Sequence, residues 1–553
     1  MDAVEGTRPR RVGRRRVLGA GLAGTAAAAL AACSDGGDPA GDSGGPTTSK
    51  SGPTSSAVPT STAPTTSAPP LPEGLPEELF AAGVASGDPL PDSVILWTRL
   101  VADPLDATGG LPDAPVPVRW EVADDEAFES MVANGTETAE ARWAHSVHAE
   151  AGGLKPDSWY WYRFVVGDAS SEPARTRTMP ADDAAPDELQ LAVASCQEFN
   201  SGSYAAYAAL AADEPDLVLF LGDYIYEAGG GRMDPKVPFV EAMSLEDYRV
   251  QYAAYKRNPL LQAAHRVAPW VVTWDDHEVV NNYAGVHGPD GVTEADFAAR
   301  RTAATQAYWE HMPLRGGPPD DGALQLYRSV KAGTLAEFFV LDGRQYRSDQ
   351  PCGDRLAVPA AECPERDDED RTMLGEEQER WLADRLESTG ATWPVIAQQT
   401  VVLPLLLGEL VLNPDQWDGY TAARQRLYDA VAAADLPNAV VLSGDIHSAG
   451  AATHVVERDG VETPVFHEFV CTSISSVSVI AVLGDAAVQV VEQVAGGTAY
   501  FDAELHGYCR VSITPERWQT QFVVVDSVDR DDAPARVDAT VTLESGSNEL
   551  VRT

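Results

Sequence analysis

Positive charge is what this chain has least of. Only 40 lysines and arginines stand against 84 aspartates and glutamates in 553 residues, a formal net charge of −44. Such a surface repels polyanions, and no basic stripe interrupts it, which excludes nucleic-acid binding as the main role. Long apolar runs are also missing: the terminal stretch "VLGAGLAGTAAAALAAC", Val17 to Cys33, is alanine-rich and too short to span a bilayer with ease. No internal repeat appears, so the fold is not a stack of equal units. Cysteine is sparse, six in all, and each one asks for an assignment.

What is present is an ordinary globular composition, 44% apolar, long enough for two or three domains. "GRRRVLG" near the N-terminus resembles a twin-arginine export signal with Arg14 and Arg15 as the pair, and "LAAC" resembles a lipoprotein box ending at Cys33. The plain alternative is a secretory signal whose cysteine is incidental. On the first reading residues 1–33 are the signal, Cys33 carries lipid, and loss of six arginines with two acids takes the mature charge to about −48. The chain would then use the twin-arginine machinery, which carries folded cargo, and would sit lipid-anchored on the outer face of the cytoplasmic membrane or be secreted. Residues 34–76, rich in Ser, Thr, Pro and Gly, read as a disordered linker with nothing to pack.

Five cysteines remain once Cys33 is set aside. Cys352 and Cys363 flank the polar "CGDRLAVPAAEC" and can close a disulfide; Cys471 and Cys509, in strand-like stretches, either pair or stay reduced; Cys196 is left over.

From 77 to 180 the pattern is short alternating strands, "SVILWTRL", "VPVRWEVADD" and "WYWYRFVVG", which predicts a small all-β, immunoglobulin-like sandwich domain. From 186 to 530 strands alternate with helices, an α/β pattern. Strands are expected at 189–195, 217–221 and 271–274 and helices near 203–213 and 244–264. Later helices fit "EADFAARRTAATQAYWEHM", "GEEQERWLADRLESTG" and "TAARQRLYDAVAAA". Residues 531–553 read as a C-terminal tail.

Polar residues gather where the predicted strands end: Cys196, then Asp223 and Tyr226, then Asp275, Asp276, His277, Asn281 and Asn282, then Asp445 and His447. In an α/β sheet the loops beyond the carboxyl ends of the strands share one rim, so four separate stretches are expected to converge. Thiolate, phenolate, imidazole and carboxylate together suit a hard trivalent iron, and the neighbouring carboxylate and amide oxygens suit calcium. One carboxylate bridging two ions would let them share a phosphate.

With these stretches in view, "GDYIYE", "WDDHEVVNN", "AYWEHMPLR", "LDGRQYRSDQPC", "DQWDGY" and "SGDIHS" resemble the PhoD family of alkaline phosphatases and phosphodiesterases over roughly residues 77 to 530. The resemblance implies an α/β metallophosphoesterase sandwich, two packed sheets flanked by helices, similar in core to purple acid phosphatases. It implies ferric iron (Fe3+) held by Cys196, Asp223, Tyr226 and His447, and calcium (Ca2+) held by Asp223, Asp276, Asn281 or Asn282, and Asp445. It further implies Gln399 as a ligand, His277 near the leaving group with Glu278 orienting it, and Arg344 gripping a phosphate oxygen or else forming a structural salt bridge. The expected substrate is a phosphate mono- or diester. Two other readings stand beside it: a phospholipase D acting on membrane lipid, and a surface-anchored, non-catalytic cell-wall-binding protein.

Overall fold

The computed structural model describes residues 71–228, 240–289, 291–319, 322–458, 460–478 and 498–553. The signal, Cys33 and most of the linker lie outside the described residues. Among the described residues no helix is long and apolar enough to cross a membrane.

Two sheets carry the molecule, one of ten strands and one of seven. In the first, strands Leu189–Ala194, Leu217–Phe220 and Trp270–Val272 run parallel. In the second, Ala336–Val340, Trp393–Ala397, Val440–Ser443 and Val461–Val470 run parallel. The period of two decides their burial. Leu191, Val193, Leu217 and Leu219 point to one face and meet Phe338, Val395, Leu442 and Phe469 of the other sheet in a dry core. The alternate residues Ala192, Ala194, Val218 and Phe220 point outward and are covered by helices Ala205–Asp213, Leu245–Lys256 and Glu294–His311. Helices Gly375–Ser388 and Thr421–Ala433 cover Phe339, Ile396 and Val441 on the far side of the second sheet. The order is helix, sheet, sheet, helix, an α/β sandwich as expected.

The two sheets also meet at their carboxyl ends. Thr273 Oγ1 donates to Leu341 O at 2.8 Å, and the Ile474 N–H donates to Ser195 O at 3.0 Å. Everything beyond those strand ends therefore shares one rim.

Three expectations need correction. The N-terminal strands pack as two layers over a core of their own, Val94, Leu96, Val118 and Tyr162 within it, but one layer is not separate from the α/β sheet. Val84–Gly87 pairs parallel with Trp270–Val272 and is followed in the ten-stranded sheet by Ser93–Arg99 and Ser146–Gly152. A separate sheet built on Val116–Ala123 and Trp159–Val166 packs over them through Trp120, Tyr160, Tyr162 and Phe164. Backbone groups at a sheet edge seek partners, and the α/β sheet offered one. Residues 531–553 are not a tail: Ala535–Glu544 and Leu550–Arg552 are the last two strands of the ten-stranded sheet. Ala539, Val541 and Leu543 are buried at alternate positions, a period the surrounding acids obscured. The helix expected near 244–264 is two helices, Leu245–Lys256 and Pro259–His265. Pro259 has no N–H to continue the first helix, and the Asn258 side chain accepts from Leu260 N at 2.9 Å to start the second.

Cys352 and Cys363 are joined by a disulfide, and Cys471 and Cys509 are buried thiols.

Candidate metal centre

Four of the loops that leave parallel strands turn sharply. Cys196, Asp223, Asn282, Asp445 and His447 all have left-handed backbone, with φ of 57°, 57°, 59°, 62° and 53°. Residues with a Cβ avoid that region, and such turns gather where a side chain must be aimed. Glycines allow the loops to close on one another. A Cβ on Gly222 would lie 2.6 Å from Asp275 Cβ, and one on Gly444 would lie 2.6 Å from Ser195 Oγ.

The result is a compact set of donors. Potential ligand atoms of Cys196, Asp223 and His447 lie within 4.8 Å of one another, as do those of Asp223, Asp276 and His277, and those of Asp223, Asp275, Asp276 and Asp445. Asp223 belongs to all three groups, which is the geometry of a shared carboxylate. Tyr226 Oη stands 3.1 Å from Asp223 Oδ2, 3.0 Å from His447 Nε2 and 2.8 Å from Ser476 Oγ. The His447 Nδ1–H faces Val477 O at 2.7 Å, so Nε2 presents its lone pair to the phenol. One phenolic proton cannot serve both Asp223 and His447, whereas a cation in its place can.

Electrostatics agree. Burial, then the Asp223 charge, pushes the Cys196 thiol well above its ordinary range, and the same two causes raise the Tyr226 phenol. Burial pushes His447 down to about 4 and Asp223 well up. Asp445 is pushed up to about 6 by burial and by Asp276. Of these carboxylates Asp276 alone is held below the ordinary range, where Arg344 and then His277 outweigh burial. Asp223 Oδ1 and Asp276 Oδ1 are buried with no hydrogen-bond partner. Arg344 Nη2 stands 3.5 Å from Asp276 Oδ1, and among the described residues nothing comparable reaches Asp223 Oδ1. Buried carboxylate oxygens without hydrogen bonds beside a thiol and a phenol are costly unless a cation takes them, so the donor set fits metal ions.

Some expected residues have other tasks. Gln399 is fully buried and already engaged: its Oε1 accepts from Gly343 N at 3.0 Å, and its Nε2 donates to Thr273 Oγ1 and Leu341 O, each at 2.8 Å. It ties the two rims together instead of serving an ion. Arg344 is not open to a phosphate either. It is 0% exposed, with Nε on Asp275 and two nitrogens on Asp415 at 2.9 and 2.8 Å, 3.5 Å from Asp276 and 3.8 Å from Asp445. The salt-bridge alternative is what the structure contains. Glu278 does not orient His277; it accepts the N–H groups of Asp223 at 3.1 Å, Tyr224, and Asp275 at 2.8 Å, bracing two ligand loops.

His277 is held instead by Glu227, whose Oε2 lies 2.6 Å from Nδ1. Glu227 raises the imidazole well above its ordinary range against the effect of burial. Asn281 is exposed and Asn282 half-buried; their N–H groups donate to Glu227 Oε1 at 2.9 Å and to Asp276 Oδ2 at 2.6 Å. Sequence reasoning missed Glu227, Asp415, Gln416 and Ser476. The first three stand inside the motifs "GDYIYE" and "DQWDGY", while Ser476 carries no signal.

Known proteins share this fold. A family model described as "PhoD-like phosphatase" matches residues 191–522, and one for the PhoD-like phosphatase N-terminal domain matches 66–180. Alkaline phosphatase D of Bacillus subtilis (strain 168) is 43% identical over 460 residues, 81% of this chain and 78% of that protein. A solved structure of PhoD superposes with a TM-score of 0.80 at 40% identity, covering 89% of this chain and 93% of that one. The chain belongs to the PhoD-like phosphatase family.

Proposed function

We propose that this phosphoric ester hydrolase works with ferric iron on the Cys196, Asp223, Tyr226 and His447 side of its centre and calcium on the Asp223, Asp276, Asn282 and Asp445 side, with Asn281 the other amide candidate. The observation that carries the reading is Asp223 Oδ1, buried without a hydrogen bond where three donor groups overlap, beside Asp276 Oδ1, which has no hydrogen bond and only Arg344 at 3.5 Å. Phenolate and carboxylate favour the harder, more charged ion, which takes imidazole and tolerates a thiolate beside them, and an all-oxygen set favours calcium. Cations held by these residues would supply charge to neutralise a phosphate ester and to lower the pKa of water. Glu227 fixes His277 through Nδ1 and keeps it cationic, which leaves Nε2 to pass a proton to the departing alkoxide. No residue here is asked to form a covalent intermediate. Export through Arg14 and Arg15 and anchoring at Cys33 belong to the same proposal and rest on the sequence alone.

Metal analysis and visible absorption test it. The purified protein is expected to carry iron with a charge-transfer band that Tyr226→Phe shifts or erases, and a calcium chelator is expected to stop hydrolysis of phosphate mono- and diesters. Fully active protein without iron or calcium overturns the assignment. Cys33→Ala is expected to release the protein from membranes without detergent; wild-type protein recovered soluble with residues before Cys33 intact overturns the anchor.

A further inference from the structure

Four consecutive residues, Asp415, Gln416, Trp417 and Asp418, are 2%, 0%, 1% and 1% exposed. A polar run is seldom buried so completely outside a strand or helix core, and each of these side chains leaves in a different direction. Asp415 takes Arg344 at 2.9 and 2.8 Å and also Arg347. Gln416 Nε2 donates to Asp445 Oδ2 while its Oε1 accepts from Val401 N at 2.7 Å. Trp417 Nε1 donates to Gln398 Oε1 at 3.0 Å, and Asp418 accepts from Leu405 N at 2.7 Å and Arg424 at 2.6 Å. The last two hold the segment to the scaffold. The first two reach into the metal centre from behind.

The disulfide loop stiffens this arm. Val358–Pro359, between Cys352 and Cys363, pairs with Leu410–Val411, and Arg366 Nε donates to Asp418 O at 2.8 Å. Among the described residues no comparable brace touches Cys196, Tyr226 or His447, whose partners include Ser476, Val477 and one another.

We propose that Asp415 and Gln416 are positioning residues for the carboxylate side of the centre. Gln416 aims Asp445 by holding one of its oxygens. Asp415 anchors the Arg344 guanidinium at a fixed distance from Asp275, Asp276 and Asp445, which sets how much negative charge a divalent cation meets there. The thiol and phenol side is built without either residue. The inference rests on the reading of that side as a calcium site.

The test is calcium binding, by titration calorimetry on full-length protein loaded with iron, for wild type, Asp415→Asn, Asp415→Glu and Gln416→Met. Asp415→Asn and Gln416→Met preserve side-chain volume, and thermal unfolding identifies the variants that fold. The calcium dissociation constant is expected to rise at least about tenfold in both, within the range for residues that orient metal ligands, with the visible spectrum of the iron side unchanged and Asp415→Glu restoring part of the affinity. Folded variants that bind calcium within about twofold of wild type overturn the proposal alone, as does loss of the iron spectrum together with calcium. Wild-type protein that binds no calcium overturns the underlying assignment, a distinct result.

Discussion

The two sides of the metal centre are both buried and both acidic, yet they are neutralised differently. On the Asp275, Asp276 and Asp445 side the protein supplies its own cation, Arg344, with Arg347 behind it on Asp415. Asp276 and Asp415 accordingly stay below the ordinary carboxylate range despite burial, while burial still raises Asp275 and Asp445. On the Cys196, Tyr226 and His447 side no guanidinium or ammonium arrives from the described residues, and every group drifts toward its uncharged form. One side is partly neutralised in advance and the other depends on the ion it holds. Asp223, common to both, follows the second pattern.

Asp223→Asn breaks the comparison most severely. Hydrolysis is expected to fall about 10³-fold or more, since a shared ligand serves both ions, and metal analysis should show both contents reduced. The metal-free variant should nonetheless resist urea at least as well as metal-free wild type, because Asp223 Oδ1 is buried without a hydrogen bond and burial already disfavours its charged form, so a neutral amide gives up little. A metal-free variant that is clearly weaker would show that Asp223 is compensated in a way the geometry does not reveal.

Arg344→Gln should do the reverse. In metal-free protein it strands Asp275 and leaves Asp415 with Arg347 alone, and breaking such a buried network costs about 3–5 kcal/mol, read as a shift of the urea midpoint. Loss of iron absorption before loss of stability would place Arg344 on the wrong side of the comparison.

Glu227→Gln is a milder probe. It keeps an acceptor for Asn281 N–H but removes the charge that holds His277 cationic. A kcat loss of about tenfold is expected for alkyl leaving groups and little for nitrophenolate, which needs no proton. Equal losses on both would assign Glu227 a structural role only.

The smallest effect tests the same charge rule away from the centre. His311 Nδ1–H faces Ala307 O at 2.7 Å, while Arg99 donates to Nε2 at 3.0 Å, so the ring must stay neutral. Burial and then Arg99 hold it well below its ordinary 6.5. The unfolded chain takes up a proton near pH 6.5 and the folded chain does not. Its contribution is therefore complete above that pH and is lost as pH falls below it, at most about 1.4 kcal/mol per unit. His311→Gln should flatten that slope in urea titrations between pH 6.5 and 5; an unchanged slope would refute the assignment.

Much of this centre is legible in the sequence. Cys196, Asp223, Asp276, Asp445 and His447 each follow a run of buried strand residues, and the parallel order of those strands obliges their ends to meet. The same logic leaves Gln399 and Arg344 undecided, since both also follow strands and position on a rim does not say whether a side chain points to the ions or knits the loops beneath them.

By itself the sequence determined the chemical inventory, the period-two strands and the order in which ligands leave them, since these depend on side-chain identity and near neighbours. Tertiary structure alone decided that Glu227 rather than Glu278 holds His277, across 50 residues, and that Tyr226 meets His447 across 221. It also decided that the last strands close an edge instead of trailing as a tail. Hydrogen bonds and ion pairs are directional and fall off within a few ångströms. Which partner a buried charge finds is therefore settled only when distant loops are brought to that range.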